Sequence, residues 1–200
     1  LGRTERGRPP GELVLLAGTA PCNLTAFALH IAVYPAIRRP RPHSVVVYSL
    51  GTSKETVLAQ FISIEARADF LSLRSGLFHG KVWKEVRNSA ERLMQANIVL
   101  EDRILDLREL RAHVIQVANT IGELTLVIVD NLLLLEGFHR ARKSGTRNMV
   151  SVAAGLRNAS RELRATVLVT VPLPRIVKLL DRRPLLTDLR TLAVAVIVSF

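Results

Sequence analysis

Residues 11–34 read GELVLLAGTAPCNLTAFALHIAVY, and the rest of the chain is organised around them. The apolar run at 13–17 reads as a buried strand. Turn residues follow. Ala26, Phe27, Leu29, Ile31 and Ala32 then recur with helical spacing until Pro35, which is expected to stop the helix. The frame is strand, tight loop, helix.

That frame is the one in which the pattern G-x-x-x-x-G-K-[ST] cradles phosphates: backbone N–H groups and a helix N-terminus face the anion, a lysine reaches the outer phosphates, and a hydroxyl holds Mg²⁺. Gly18 and Thr25 are in register with it, whereas Asn23 stands at the second glycine and Leu24 at the lysine. Asn tolerates a positive φ better than most residues, so the backbone loses little there. Leu24 has neither donor nor charge. Removing one preorganised donor costs on the order of 3–4 kcal/mol in other enzymes, and a missing cation beside a polyphosphate costs at least that. Taken alone, the octet favours an ordinary βα turn. With its frame it reads as an ancestral nucleotide pocket with poor or no hydrolysis.

Composition narrows the classes. The chain has 200 residues, 48% of them hydrophobic, enough for one domain with a sizeable core. Residues 1–10 read as a linker and 11–200 as the single domain. Twenty-eight Lys+Arg against 17 Asp+Glu give a net charge of +11. That excess points to a polyanion, nucleic acid before membrane, because no basic amphipathic helix stands out. The plainer reading is an arginine-rich surface. Cys22 is the single cysteine, which excludes an internal disulfide and points to a reducing, cytoplasmic setting. No paired histidine marks Cys22 as a nucleophile. His30, His43, His79, His113 and His139 lack zinc-ligand spacing. The apolar run at 124–135 is broken by Asp130 and is too short to span a bilayer. Residues 1–10 are polar and basic, unlike a signal peptide. The first residue is not Met, so a piece of a longer protein is expected.

Along the chain, 35–42 reads as a proline-broken loop and 44–48 as a short β-branched strand. Thr52 to Glu55 fits a capping box opening a helix to about Ile64, with Val57, Leu58, Phe61 and Ile62 inward. Trp83, Val86, Ala90, Leu93 and Met94 have helical spacing toward the sheet. A strand at 98–100 follows. Asp106 and Glu109 open a helix that Gly122 closes. Residues 124–129 form the clearest strand, ending in Asp130. A helix at 148–164, a strand at 166–171, a loop at 172–184 and a strand at 192–199 complete the pattern. Alternating strands and helices predict an α/β fold, with a mostly parallel central sheet and helices on both faces.

In order and spacing, the segments GELVLLA (11–17), TAFAL (25–29), IEAR (64–67), RSGL (74–77), LVIVD (126–130), REL (161–163) and RRPLLTDLR (182–190) resemble one family. It is the C-terminal RecA-fold motor domain of DnaB-type bacterial replicative helicases. The resemblance covers nearly all of 11–190 and implies a RecA-like P-loop NTPase fold, with ATP and Mg²⁺ as cofactors. Thr25 matches the Mg²⁺-binding hydroxyl and Asp130 the Walker B carboxylate, with Gly18, Asn23 and Arg175 completing the nucleotide-binding set. The family's catalytic glutamate falls on Gly51. Its two glutamines fall on Leu133 and Pro172. The lysine position is Leu24. Four parts of one catalytic unit are thus replaced, and one or two such losses usually silence it. No arginine finger is visible before Phe200.

The family threads single-stranded DNA through a hexameric ring past two inward loops. Those stretches match 137–147 and 174–183, where Arg140, Arg142, Lys143, Arg147, Arg175, Lys178, Arg182 and Arg183 are placed to neutralise phosphates. Without the resemblance these are solvated basic loops. Phe138 is the one aromatic placed there to stack on a base. Glu65, Glu101 and Asp102 match structural positions and read as surface or capping groups.

Three functions follow as expectations. The first is a DNA-binding or helicase-ring-binding subunit of the replisome, homo- or hetero-oligomeric, with little or no hydrolysis. The second is a working ATP-dependent motor completed by a neighbouring subunit. The third is a fold-only module recruited for some other protein contact.

Overall fold

The computed structural model describes residues 11–19, 22–38, 43–77, 80–103, 105–135, 146–173 and 195–197. The elements are β1 (Leu13–Gly18), α1 (Leu24–Val33), β2 (Ser44–Ser49), α2 (Lys54–Ala66), α3 (Phe70–Ser75), α4 (Lys81–Gln95), β3 (Ile98–Glu101), α5 (Leu107–Ile121), β4 (Leu124–Asp130), α6 (Thr146–Leu163), β5 (Thr166–Pro172) and β6 (Ala195–Ile197). The strands form one six-stranded sheet in the order β3-β2-β4-β5-β1-β6. Every described pairing is parallel.

A parallel sheet is covered on both faces, so side chains of both parities must be apolar. In β1, Leu13, Leu15 and Ala17 join the core shared with α5 and α6, through Leu110, Val114 and Leu156. Val14 and Leu16 join the opposite core, built with Leu29 and Val33 of α1, Val57 and Phe61 of α2, and Leu93 of α4. Strands β2 and β4 split in the same way. Full burial of each such side chain contributes roughly 1.5–3 kcal/mol before entropy is subtracted. Gly155 lets α6 approach α5: a Cβ there would collide with Leu107 Cδ2.

Several local expectations are corrected. Pro35 does not end its helix; the chain continues as a π-helical turn, Tyr34–Arg38. A proline lacks the N–H and its ring crowds the carbonyl one turn back, and a widened turn accommodates both. The 35–42 loop is therefore helical in its first part. Helix α2 is capped by Ser53, which accepts from Thr56 N–H, and not by a Thr52/Glu55 box. The Lys54 N–H donates to Asp102 at 3.0 Å, which fulfils the capping role expected of Asp102. Leu58, Trp83 and Met94 are 45%, 57% and 86% exposed, so they point away from the sheet. Buried Ser89, beside Val86 and Leu93, takes the inward place on α4. Glu65 is not a surface group; it ties Arg38 (3.1 Å) and Arg92 (3.0 Å) together with its own side chain 8% exposed. The last strand is described only over Ala195–Ile197, and α6 already begins at Thr146.

The sequence reading of α5 is matched in full. Asp106 Oδ1 accepts from Arg108 and Glu109 N–H at 2.7 and 2.8 Å, and Glu109 returns a bond to Asp106 N–H at 2.9 Å. Beside it, Tyr48 Oη lies 2.8 Å from His113 Nδ1, and His113 Nε2 lies 3.7 Å from Glu101. Burial pushes the Tyr48 phenol upward. Arg103 grips Glu101 at 2.9 and 2.8 Å. Those side-chain bonds hold the Glu101 carboxyl down at about 2, against the opposing effect of burial.

Asp106→Ala is expected to cost about 1 kcal/mol, read as a lowered urea midpoint. Because the Glu101 carboxyl is lowered on folding, its contribution is complete above its ordinary value of 4.5 and is lost as pH falls towards about 2. Glu101→Gln should therefore flatten the acid limb of the stability–pH curve in that window and leave the neutral-to-alkaline limb unchanged in shape.

Candidate functional site

In open α/β sheets the polar work is done beyond the carboxyl ends of the strands, where packing no longer demands apolar side chains. The ends of β1, β4 and β5 meet here around a cleft of about 230 Å³ lined by Gly18, Thr19, Asn23, Leu24, Thr25, Asp130, Asn131, Thr170 and Pro172. Clefts that hold drug-sized ligands run roughly 300–1,000 Å³.

Asn23 adopts φ 39°, ψ 60°, the left-handed conformation expected where a glycine is replaced by Asn. Its side chain also caps α1, accepting from Ala26 N–H at 3.3 Å. One donor of the helix N-terminus, free to meet an anion in an uncapped loop, is thus satisfied within the chain. Leu24 folds back: its Cδ2 lies 3.0 Å from where a Cβ on Gly18 would sit, and it packs against the α1-side core. Cys22 closes the same corner, with its N–H bonded to Thr19 O at 2.9 Å. Among the described residues, no cationic side chain lines the cleft.

The retained pair is intact. Thr25 Oγ1 donates to Asp130 Oδ2 at 2.6 Å. Asp130 Oδ1 accepts from Thr170 Oγ1, so both carboxylate oxygens are engaged by hydroxyls. Sequence reasoning missed Thr170. Its signal was a polar residue inside the apolar run at 167–171, VLVTV, which the structure buries. The Leu50 N–H donates to Asp130 O at 2.7 Å, bringing the end of β2 beside this carboxylate.

Gly51 follows at once. A Cβ placed on it would lie 2.6 Å from Leu134 Cδ1, a second neighbour that the sequence did not indicate. Leu133 is part of the short 3-10 turn Leu132–Leu134, packs against the α5/α6-side core and donates its N–H to Asn131 Oδ1 at 3.1 Å. Pro172 ends β5 at the cleft, and Leu173 N–H bonds Gly18 O at 2.8 Å.

Structure therefore brings Gly18, Asn23, Leu24, Thr25, Asp130 and Pro172 to one cleft, with Gly51 linked to it through Leu50. Phe138, Arg140, Arg142, Lys143, Arg175, Lys178, Arg182 and Arg183 lie outside the described residues. Arg147 lies in α6, with its side chain outside them. The described residues contain no group of three or more His, Cys, Asp or Glu arranged for a metal, and no helix long and apolar enough to cross a membrane.

Solved structures with this architecture include the ATPase domain of G40P, with a TM-score of 0.81 and 24% identity, covering 92% of this chain and 66% of that one. A DnaB-like replicative helicase, solved with attention to its interactions with primase, superposes with a TM-score of 0.78 at 21% identity, over 92% and 44% of the two chains. These likenesses establish the α/β RecA-like fold. In sequence, the replicative DNA helicase DnaB of Rickettsia bellii is 31% identical over 191 residues, covering 90% of this chain and 38% of the relative. The probable replicative DNA helicase of Trieres chinensis is 27% identical over 190 residues, 92% of this chain and 41% of the relative. The chain thus spans about two fifths of the length of these relatives. The family model for the DnaB-like helicase C-terminal domain matches residues 1–193, and the chain belongs to that family.

Proposed function

We propose that this domain acts in DNA replication as a non-hydrolysing helicase-like subunit that binds single-stranded DNA or an active helicase ring. One observation carries the reading: the anion cradle is filled from within, by Asn23 bonding Ala26 N–H and Leu24 lying on Gly18. A triphosphate entering such a cleft would meet the Asp130 carboxylate without a compensating lysine. Thr25 and Asp130 are the residues that fit a divalent cation, and Gly18 and Asn23 lie where phosphates would pass. The residues present do not fit a triphosphate. Nothing at Gly51, Leu133 or Pro172 can orient or deprotonate a water molecule.

The competing reading, a motor completed by a neighbouring subunit, is favoured by the preserved Thr25–Asp130 hydrogen bond. Titration with a fluorescent ATP analogue and Mg²⁺ separates the two. No saturation at micromolar concentrations is expected, and Leu24→Lys alone should restore no turnover because Gly51 is no base. Saturable binding with hydrolysis, in the wild-type chain or in that variant, would overturn the proposal.

For DNA, the cations at 140–147 and 175–183 are proposed to contact phosphates regardless of base. Oligo-dT binding should be weak and fall steeply with salt, log K declining linearly with log salt concentration. Replacing Arg140, Arg142 and Lys143 by Ala should shallow that slope by about two units. Absent or salt-independent binding would move the function to protein contacts alone.

A further inference from the structure

Helices α5 and α6 cover the sheet face opposite α1, and a groove of about 670 Å³ runs between them. That volume lies within the roughly 300–1,000 Å³ of sites that hold small molecules. The groove is crossed at two levels. Near the start of α5, Leu107 is seated where a Cβ on Gly155 would stand. One turn further along α5 and two along α6, Arg111 holds Glu162 at 2.8 and 2.9 Å. Ala112 and Ile115 extend the aliphatic wall on the α5 side. The α5 wall from Leu107 to Ile115 is about 12 Å long at 1.5 Å per residue. Two polar side chains that line this groove are unused. The Arg108 guanidinium forms no ion pair among the described residues, and the Asn158 amide forms no hydrogen bond to any of them. Only the backbone N–H of Arg108 is engaged, on Asp106. Arg111 and Glu162 neutralise each other, so Arg108 leaves the groove with an uncompensated positive charge.

We propose that the groove between α5 and α6 is a binding site for a small amphipathic anion, an aliphatic body up to about 12 Å long that ends in a carboxylate or phosphate. The body lies along Leu107, Ala112 and Ile115, where Gly155 leaves room that a side chain would fill. The head group takes charge-assisted hydrogen bonds from Arg108 and a further one from the Asn158 amide. A nucleobase fits less well, because no aromatic side chain lines the groove for it to stack on. A partner helix, about 10–12 Å across, cannot settle between two helices that touch at Leu107 and Gly155 and are bridged by Arg111 and Glu162. A neutral apolar molecule would leave Arg108 without a partner, and a cation would be repelled by it. The inference is independent of the nucleotide-site reading, since no residue is shared between this groove and the cleft at the strand ends.

The full chain, labelled with nitrogen-15, would be titrated with octanoate and with octyl phosphate while its amide resonances are followed. Octylammonium and octanol supply a cationic and a neutral head on the same body, and inorganic phosphate supplies a head without a body. Saturable shifts confined to residues 107–115 and 155–162 are expected with an octyl anion, with a Kd on the order of 1 mM. The tighter of the two anions identifies the head group. Octylammonium, octanol and inorganic phosphate should each bind at least about tenfold more weakly. Arg108→Gln should weaken the octyl anion about tenfold. Ala112→Phe, which fills the groove from an exposed position, should abolish binding. Both variants should keep the wild-type melting midpoint. Equal affinity for octanol or octylammonium would overturn the proposal. So would shifts elsewhere in the chain, binding indifferent to both substitutions, or no saturation with either anion.

Discussion

A parallel sheet covered on both faces leaves almost no place for polar side chains along its strands, and the rest of the molecule follows from that constraint. Strands β1 and β2 are buried at every position. Chemistry is therefore confined to the strand ends, where Gly18, Asp130 and Pro172 stand together. Thr170 is a polar residue buried inside β5, its hydroxyl spent on Asp130, while Ser44 and Ser49 are buried at the two ends of β2 and donate to backbone carbonyls. The same constraint fixes the position of α1, whose N-terminus opens where β1 ends.

What distinguishes this cleft is that its altered positions are integrated into the packing. Leu24 lies on Gly18 and the α1-side core, Leu133 lies on the opposite core, and Leu134 stands over Gly51. Asn23 keeps the backbone turn of the glycine it replaces and uses its side chain to cap the helix. Each of these side chains is thus engaged within the chain's own fold. Such mutual adjustment supports a domain retained for its surfaces, as proposed above, and it accounts for the survival of the Thr25–Asp130–Thr170 network, which joins α1, β4 and β5.

Those surfaces carry the chain's excess of positive charge. Among the described cations, Arg38, Arg92, Arg103 and Arg111 are engaged in ion pairs that tie elements of the fold together or brace a strand end. Arg67, Arg74, Lys81 and Lys84 form no ion pair among the described residues. Charge of the first kind holds the fold, and charge of the second kind remains available to a partner.

Sequence by itself determined the alternation of strands and helices, the parallel sheet and the Asp106–Glu109 capping box. Each of these rests on a local pattern: side-chain periodicity or a cap at fixed spacing. It misjudged Leu58, Trp83 and Met94, because helical spacing identifies a stripe but not which stripe meets the sheet. It also missed the π-helical turn at Pro35 and the burial of Glu65 between Arg38 and Arg92. Only the tertiary structure decided that Thr170 shares Asp130 with Thr25, that Leu134 covers Gly51, and that Leu107 fits against Gly155. These contacts join residues distant in the chain, and their partners are fixed by how strands order and helices pack, which no local pattern records.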